Sequence, residues 1–295
     1  MKVLLINGSP RREGNTFIAL SEAARALEAE GVGAEIVSIG TKAVQGCIAC
    51  GKCAELGRCV FNDALYNEVR EKLAGADALV CNLGAIGKVD SMISAGQSAN
   101  RAGHPVVLDP VAAGGTALRR QESARLLEHV HFAAIRGNAS EIRALALREQ
   151  VGRGVDVGQG DVVSADTLSR TVETARLLAR QTGAVAAVSG PMDVVTDGSR
   201  TVILRNGCAT MARITGSGCM LTSMMGAFCG AMPEDPFTAA CAAMAAMGVA
   251  GEIAEARRLE HGTGNATFRN NLIDAIFNLT EEQLEKGVRY EIYQG

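Results

Sequence analysis

The chain has 295 residues, 47% hydrophobic, 21% charged and only 3% aromatic, with no tryptophan and a formal net charge of −3. That apolar content suffices for a sizeable core and excludes a disordered chain. The near-neutral balance, with no basic block longer than Arg11-Arg12 or Arg119-Arg120, and the scarcity of stacking side chains exclude a nucleic-acid binder and leave an enzyme acting on a small molecule.

Residues 2–7 form a short apolar run of β type, too short for a signal peptide. They lead into Gly8-Ser9-Pro10-Arg11-Arg12-Glu13-Gly14-Asn15-Thr16 and a helical pattern over 17–30, and residues 34–39 read as a second strand. Strand, polar glycine-containing loop and helix make a phosphate-binding geometry at the carboxyl end of a first strand, though an ordinary helix start has the same outline. Cys47, Cys50, Cys53 and Cys59 then bring thiols close enough in sequence to converge on one iron–sulfur cluster or zinc ion, or to remain free. Nine cysteines, an odd number without a secretory signal, point to a reducing, cytoplasmic compartment.

Residues 1–80 resemble the flavodoxin-like NAD(P)H-dependent FMN reductases in this strand and its GSPR-x-x-GNT loop. The resemblance implies that Ser9, Arg11, Asn15 and Thr16 hold an FMN phosphate. It also implies that Cys47, Cys50, Cys53 and Cys59 match the ligand spacing of iron–sulfur flavoproteins in that group. After an amphipathic helix over 63–73 and a strand over 78–82, a flavin reductase would supply a Pro- and aromatic-containing loop for the flavin ring; Leu83-Gly84-Ala85-Ile86-Gly87 stands there instead.

Farther on, residues 91–102 are helical, and residues 105–108 read as a buried parallel strand ending at Asp109, where α/β enzymes place their ligands. Asp109 could hold magnesium and phosphates, or equally cap the following turn. Residues 133–142 repeat the pattern of strand, polar turn and helix, with Arg136 suited to phosphate oxygens and Glu141 to a metal-bound water, unless they are a surface Arg and a capping-box Glu. Residues 150–161 read as a loop, 184–189 as a strand and 193–204 as a hairpin around Asp197-Gly198. Next comes the glycine-rich turn Thr215-Gly216-Ser217-Gly218-Cys219. Converging N–H groups and a helix dipole would hold an anion there and lower the Cys219 thiol pKa, or the turn is a plain helix start capped by Thr215 or Ser217. Two uncharged stretches, 214–233 and 236–251, are separated by Glu234-Asp235 and read as buried helices rather than membrane spans; a last helix covers 272–279.

Residues 76–285 resemble the hydroxyethylthiazole kinase family, in the segments 76–84, 91–102 and 104–111, in Arg136-Gly137-Asn138-Ala139-Ser140-Glu141, and in Thr215-Gly216-Ser217-Gly218-Cys219, which matches that family's TGTGC signature with Ser for the second Thr. The resemblance implies a ribokinase-like fold, ATP as co-substrate, Mg2+ held by Asp109 and Glu141, and ATP contacts from Arg136, Asn138 and Ser189, the last replacing a Thr. It further implies that Gly216 lies against the thiazole substrate and that Cys219, standing where related sugar kinases carry a catalytic Asp, accepts or polarises the hydroxyethyl proton. Family members are trimers, so a homo-oligomer is expected. The family's first strand and its Met-containing thiazole contact have no counterpart here. The expectation is therefore a three-layer α/β chimera, flavodoxin-like over 1–80 and kinase-like over 76–295, joined at 75–80 into one continuous, largely parallel sheet.

Overall fold

The computed structural model describes residues 2–7, 31–38, 64–148, 163–164 and 166–295, with isolated positions between 17 and 61. The loop expected over 150–161 lies outside the described residues, as does the helix over 17–30 apart from isolated positions.

The strands β1 (Lys2–Asn7) and β2 (Gly33–Ser38) pair in parallel, Lys2 opposite Gly33 through Asn7 opposite Ser38. Helix α1 (Ala64–Ala74) is tied to β2 by an ion pair between Lys72 and Glu35. A second sheet holds β3 (Leu79–Asn82), β4 (Val106–Asp109), β5 (Ala134–Asn138), β6 (Val185–Ser189), β7 (Asp193–Thr196), β8 (Thr201–Leu204) and β9 (Tyr290–Ile292), side by side in chain order. From β3 to β6 the pairing is parallel, and from β6 to β9 it is antiparallel. The single continuous sheet is therefore not formed among the described residues: β1 and β2 make a sheet of their own. A hydrophobic pattern that runs on through residues 76–80 fixes which face of β3 is buried, but it supplies no ladder partner for that strand's outer edge.

The central strands are apolar on both faces, as parallel strands between helical layers must be. Val106 and Leu108 of β4 point into one core and Val107 into the other; Ile135 and Ala134 of β5 divide in the same way. Helices α2 (Val89–Arg101), α3 (Ala117–His129), α4 (Ala139–Leu147) and α5 (Leu168–Thr182) cover the first face. Helices α6 (Ser217–Ala231), α7 (Pro236–Glu260) and α8 (Asn265–Phe277) cover the second. By length and composition α7 could cross a membrane, yet 72% of its apolar window is buried in the protein, which makes it a core helix. Asp235 caps it through the Thr238 N–H and Pro236 opens its first turn, where a missing N–H costs nothing. Helix α9 (Glu281–Gly287), with a Thr280–Gln283 capping box, and the exposed edge strand β9 close the chain.

What fixes the position of α6 is a row of small residues four apart, Gly218, Thr222, Gly226 and Gly230, along the face that meets the sheet. A Cβ at Gly226 would stand 2.5 Å from Cγ2 of Val80, and one at Gly230 would stand 3.2 Å from Cβ of Ala78. The substitution Gly226→Ala should lower the thermal unfolding midpoint, because overpacking costs about 1–3 kcal/mol against about 1 kcal/mol of helix propensity gained. Combined with Val80→Ala it should cost less than the two changes added separately. A midpoint unchanged or raised in Gly226→Ala would contradict this seating.

Candidate functional site

The parallel strands end in a row of polar residues. Asn82 and Asp109 are opposite one another at the ends of β3 and β4, and Asn138 and Ser189 at the ends of β5 and β6. Ligands of open α/β sheets bind in the crevice beyond these carboxyl ends. Facing it is the start of α6, whose N-cap, Gly216, has φ 98°, a left-handed conformation that favours glycine. No side chain caps this end; Ser217 donates instead to the Met211 carbonyl at 3.2 Å, so the plain capped start is not what forms. First-turn N–H groups have no intrahelical acceptors, which leaves this end suited to an anion.

Arg136, on β5, lies against the same end. Its Nη2 donates to Ser189 Oγ at 2.7 Å, and a Cβ on Gly218 would stand 2.7 Å from its Nη1. Its Nε is buried without a hydrogen-bond partner, so it is no surface arginine. An orphaned buried donor of this kind costs about 1–3 kcal/mol unless a ligand meets it.

Asp109 is 2% exposed, and its Oδ2 accepts from Asn82 Nδ2 at 2.9 Å and Thr222 Oγ1 at 3.1 Å. Burial pushes its carboxyl pKa up, against the charge of Arg136 and hydrogen bonds with Thr222, Cys219 and Asn82. Glu141 is the third residue of α4, and it forms a reciprocal capping box with Asn138: Glu141 N donates to Asn138 Oδ1 at 2.9 Å and Asn138 N to Glu141 Oε2 at 2.8 Å. Its Oε1 accepts the N–H of Ala112 at 2.8 Å, holding that residue at φ 55°, a strained conformation for a side chain other than glycine. Burial pushes the Glu141 pKa up most, and the Asp109 charge adds to it.

Among the described residues no group of three or more His, Cys, Asp or Glu side chains is placed to hold a metal. Magnesium commonly needs only one or two carboxylates alongside substrate phosphates and water. Asp109 fits that pattern directly; Glu141, with both oxygens already bonded to backbone, fits it only through a water.

Cys219 falls in the first turn of α6, as expected, and is exposed. The expected drop in its thiol pKa does not occur. Burial of the sulfur and the Asp109 charge push it up, outweighing a hydrogen bond from Asn82 and the charge of Arg136. At neutral pH it is a thiol.

The sequence reading missed Asn82, Thr222, Ala112 and Asp193. Asp193 Oδ1 accepts the Gly190 N–H at 2.9 Å and so fixes the turn after Ser189. Burial pushes its pKa up to about 7, with the Gly190 bond and the Arg136 charge opposing. The positions expected to hold FMN phosphate (Ser9, Arg11, Asn15, Thr16) and a cluster (Cys47, Cys50, Cys53, Cys59) lie outside the described residues.

Two outcomes follow from these ionisations. Asp109→Asn removes a negative charge from beside the thiol and should speed iodoacetamide modification of Cys219 at neutral pH; an unchanged or slower rate would contradict the coupling. Asp193 binds its proton more tightly folded than unfolded, so its contribution favours folding below its unfolded pKa and is lost as pH rises through about 7. Asp193→Asn keeps an oxygen for Gly190 and should flatten the decline of the melting midpoint between about pH 5 and about pH 8; an identical decline would contradict the assignment.

The hydroxyethylthiazole kinase family pattern matches residues 49–282, and that of the NADPH-dependent FMN reductases matches residues 1–82. Hydroxyethylthiazole kinase of Clostridium acetobutylicum is 42% identical over 228 residues, spanning 77% of this chain and 83% of that protein. The same enzyme of Thermoanaerobacter pseudethanolicus is 43% identical over 226 residues, 76% of this chain and 82% of the relative. The solved hydroxyethylthiazole kinase protein of Pyrococcus horikoshii superposes with a TM-score of 0.69 at 26% identity, covering 99% of this chain and 94% of that one. Pyridoxal kinase of Staphylococcus aureus, at 13% identity and a TM-score of 0.54 over 99% of this chain and 98% of its own, shares the ribokinase-like fold alone.

Proposed function

Because the chain belongs to the hydroxyethylthiazole kinase family, we propose that it transfers the γ-phosphoryl group of ATP to the hydroxyl of 4-methyl-5-(2-hydroxyethyl)thiazole, a step of thiamine salvage. The observation that carries this reading is Arg136, a guanidinium with a buried, unbonded Nε set against an uncapped helix start. Two sources of positive potential meet there, and a polyphosphate is the ligand that satisfies both.

In this reading Arg136 and Ser189 hold ATP phosphate oxygens, and Asn138 orders the turn beside them by capping α4. Magnesium would be held with the phosphates by Asp109, and through water by Glu141, and would supply charge neutralisation to the transferred group. The N–H groups of Ser217, Gly218 and Cys219 receive the equatorial oxygens as their charge changes. Gly216, open on its Cβ side, lies along the alcohol. Cys219, protonated, orients the alcohol oxygen by hydrogen bonding rather than withdrawing its proton in advance. A loose phosphoryl transition state needs little proton abstraction before the bond to the leaving group lengthens, and the alcohol proton passes to the product phosphate or to solvent as the new P–O bond forms. A cytoplasmic homo-oligomer, trimeric by family resemblance, belongs to the same reading. The match over residues 1–82 supports a second one, an FMN or iron–sulfur flavoprotein oxidoreductase; a purified chain that takes up no flavin would remove it.

Arg136→Ala should weaken ATP binding about 10- to 100-fold in a calorimetric titration, the equivalent of one or two charge-assisted hydrogen bonds. ATP affinity equal to that of the unaltered chain would contradict the phosphate role.

A further inference from the structure

Asn82 ends β3 with its side chain between the two groups assigned above to opposite sides of the reaction. Its Oδ1 accepts the N–H of Gly84 at 2.8 Å, which fixes the plane of the amide and directs both Nδ2 hydrogens into the site. One goes to Asp109 Oδ2 at 2.9 Å and the other to Cys219 Sγ at 3.4 Å. Thr222, reaching down from α6, holds the same Asp109 oxygen from the other side at 3.1 Å. Room for this arrangement comes from Gly84, where a Cβ would stand 2.6 Å from Asn82 Oδ1. Asn82 is also the last residue of the stretch that matches the FMN reductases, so a side chain from that stretch reaches the transfer centre.

We propose that Asn82 is a positioning residue for phosphoryl transfer: a single amide, pinned by Gly84, spaces the Cys219 sulfur from the Asp109 carboxylate and thereby aligns the accepting alcohol with the phosphate. The proposal rests on the kinase reading for its effect on rate and on geometry alone for its effect on the thiol. Asn82 orders groups on both sides of the reaction without contributing to the phosphate cradle of Arg136 and Ser189. Its loss therefore shows in turnover more than in ATP binding, because Asp109 keeps Thr222 as a partner. Misplacement of reacting groups by about an ångström costs on the order of 100-fold in rate.

The test uses the full chain with Asn82→Leu, which removes the donor at similar volume, and Gly84→Ala, which keeps the amide and displaces it. Both should lower kcat for thiazole alcohol about 10- to 100-fold while KM for ATP stays within about twofold. With no substrate present, mass-spectrometric alkylation of the Cys219 peptide should be about fivefold slower in Asn82→Leu, because a donor to the sulfur is lost. An unchanged alkylation rate overturns the proposal even if the chain phosphorylates nothing. Product absent from the unaltered chain, with the alkylation shift present, overturns the kinase reading and leaves the amide bridge standing. A rise in KM for ATP that accounts for the whole loss would make Asn82 a structural support of the nucleotide site and overturn its positioning role.

Discussion

Everything at this site follows from a guanidinium placed at the positive end of a helix. Arg136 approaches the first turn of α6 so closely that a Cβ on Gly218 would stand 2.7 Å from its Nη1, and its Nε is left buried without a partner. Both features oppose stability, since a cation at a helix N-terminus works against the macrodipole and an unmet buried donor loses its hydration. Asp109, whose pKa the Arg136 charge lowers against the effect of burial, offsets part of this. An anion bound between arginine and helix would offset the rest.

Such an arrangement requires α6 to sit close against the sheet, and the small residues at Gly218, Gly226 and Gly230 allow it. They let the helix descend onto Val80 and Ala78, at and just before β3, which sit in the region shared by the two family matches. Through that contact, and through the Asn82 amide, β3 supports the candidate site even though β1 and β2 pair apart from the main sheet. The site is therefore built from four consecutive parallel strand ends and one helix start. The Cys219 thiol is the exposed group among them.

The sequence made the positions of these residues legible because they stand at fixed places in local patterns: Asp109 closes an apolar strand, Arg136 and Glu141 flank a strand-to-helix turn, and Gly216 to Cys219 open an uncharged helix. It was silent where partners are distant in the chain. Asn82 is one polar residue after an apolar run, and its meaning depends on standing opposite Asp109 in the β3–β4 register. Thr222 is one hydroxyl in an apolar helix until Asp109 is placed beneath it. The thiol was misjudged for the same reason: the helix dipole is visible in sequence, whereas the carboxylate that overrides it is not. Strand β9 was missed because all three of its residues are exposed, so no buried face marks the sequence.

The central claim is that Arg136, Asp109 and the start of α6 form a working phosphoryl-transfer centre in this two-part chain. Its most direct test is to incubate the purified full chain with magnesium, ATP and 4-methyl-5-(2-hydroxyethyl)thiazole, and to quantify ADP and thiazole phosphate together. Equal amounts of the two products, both dependent on the thiazole alcohol, are predicted. ATP binding without thiazole phosphate, or ADP released at the same rate with the alcohol omitted, would contradict it.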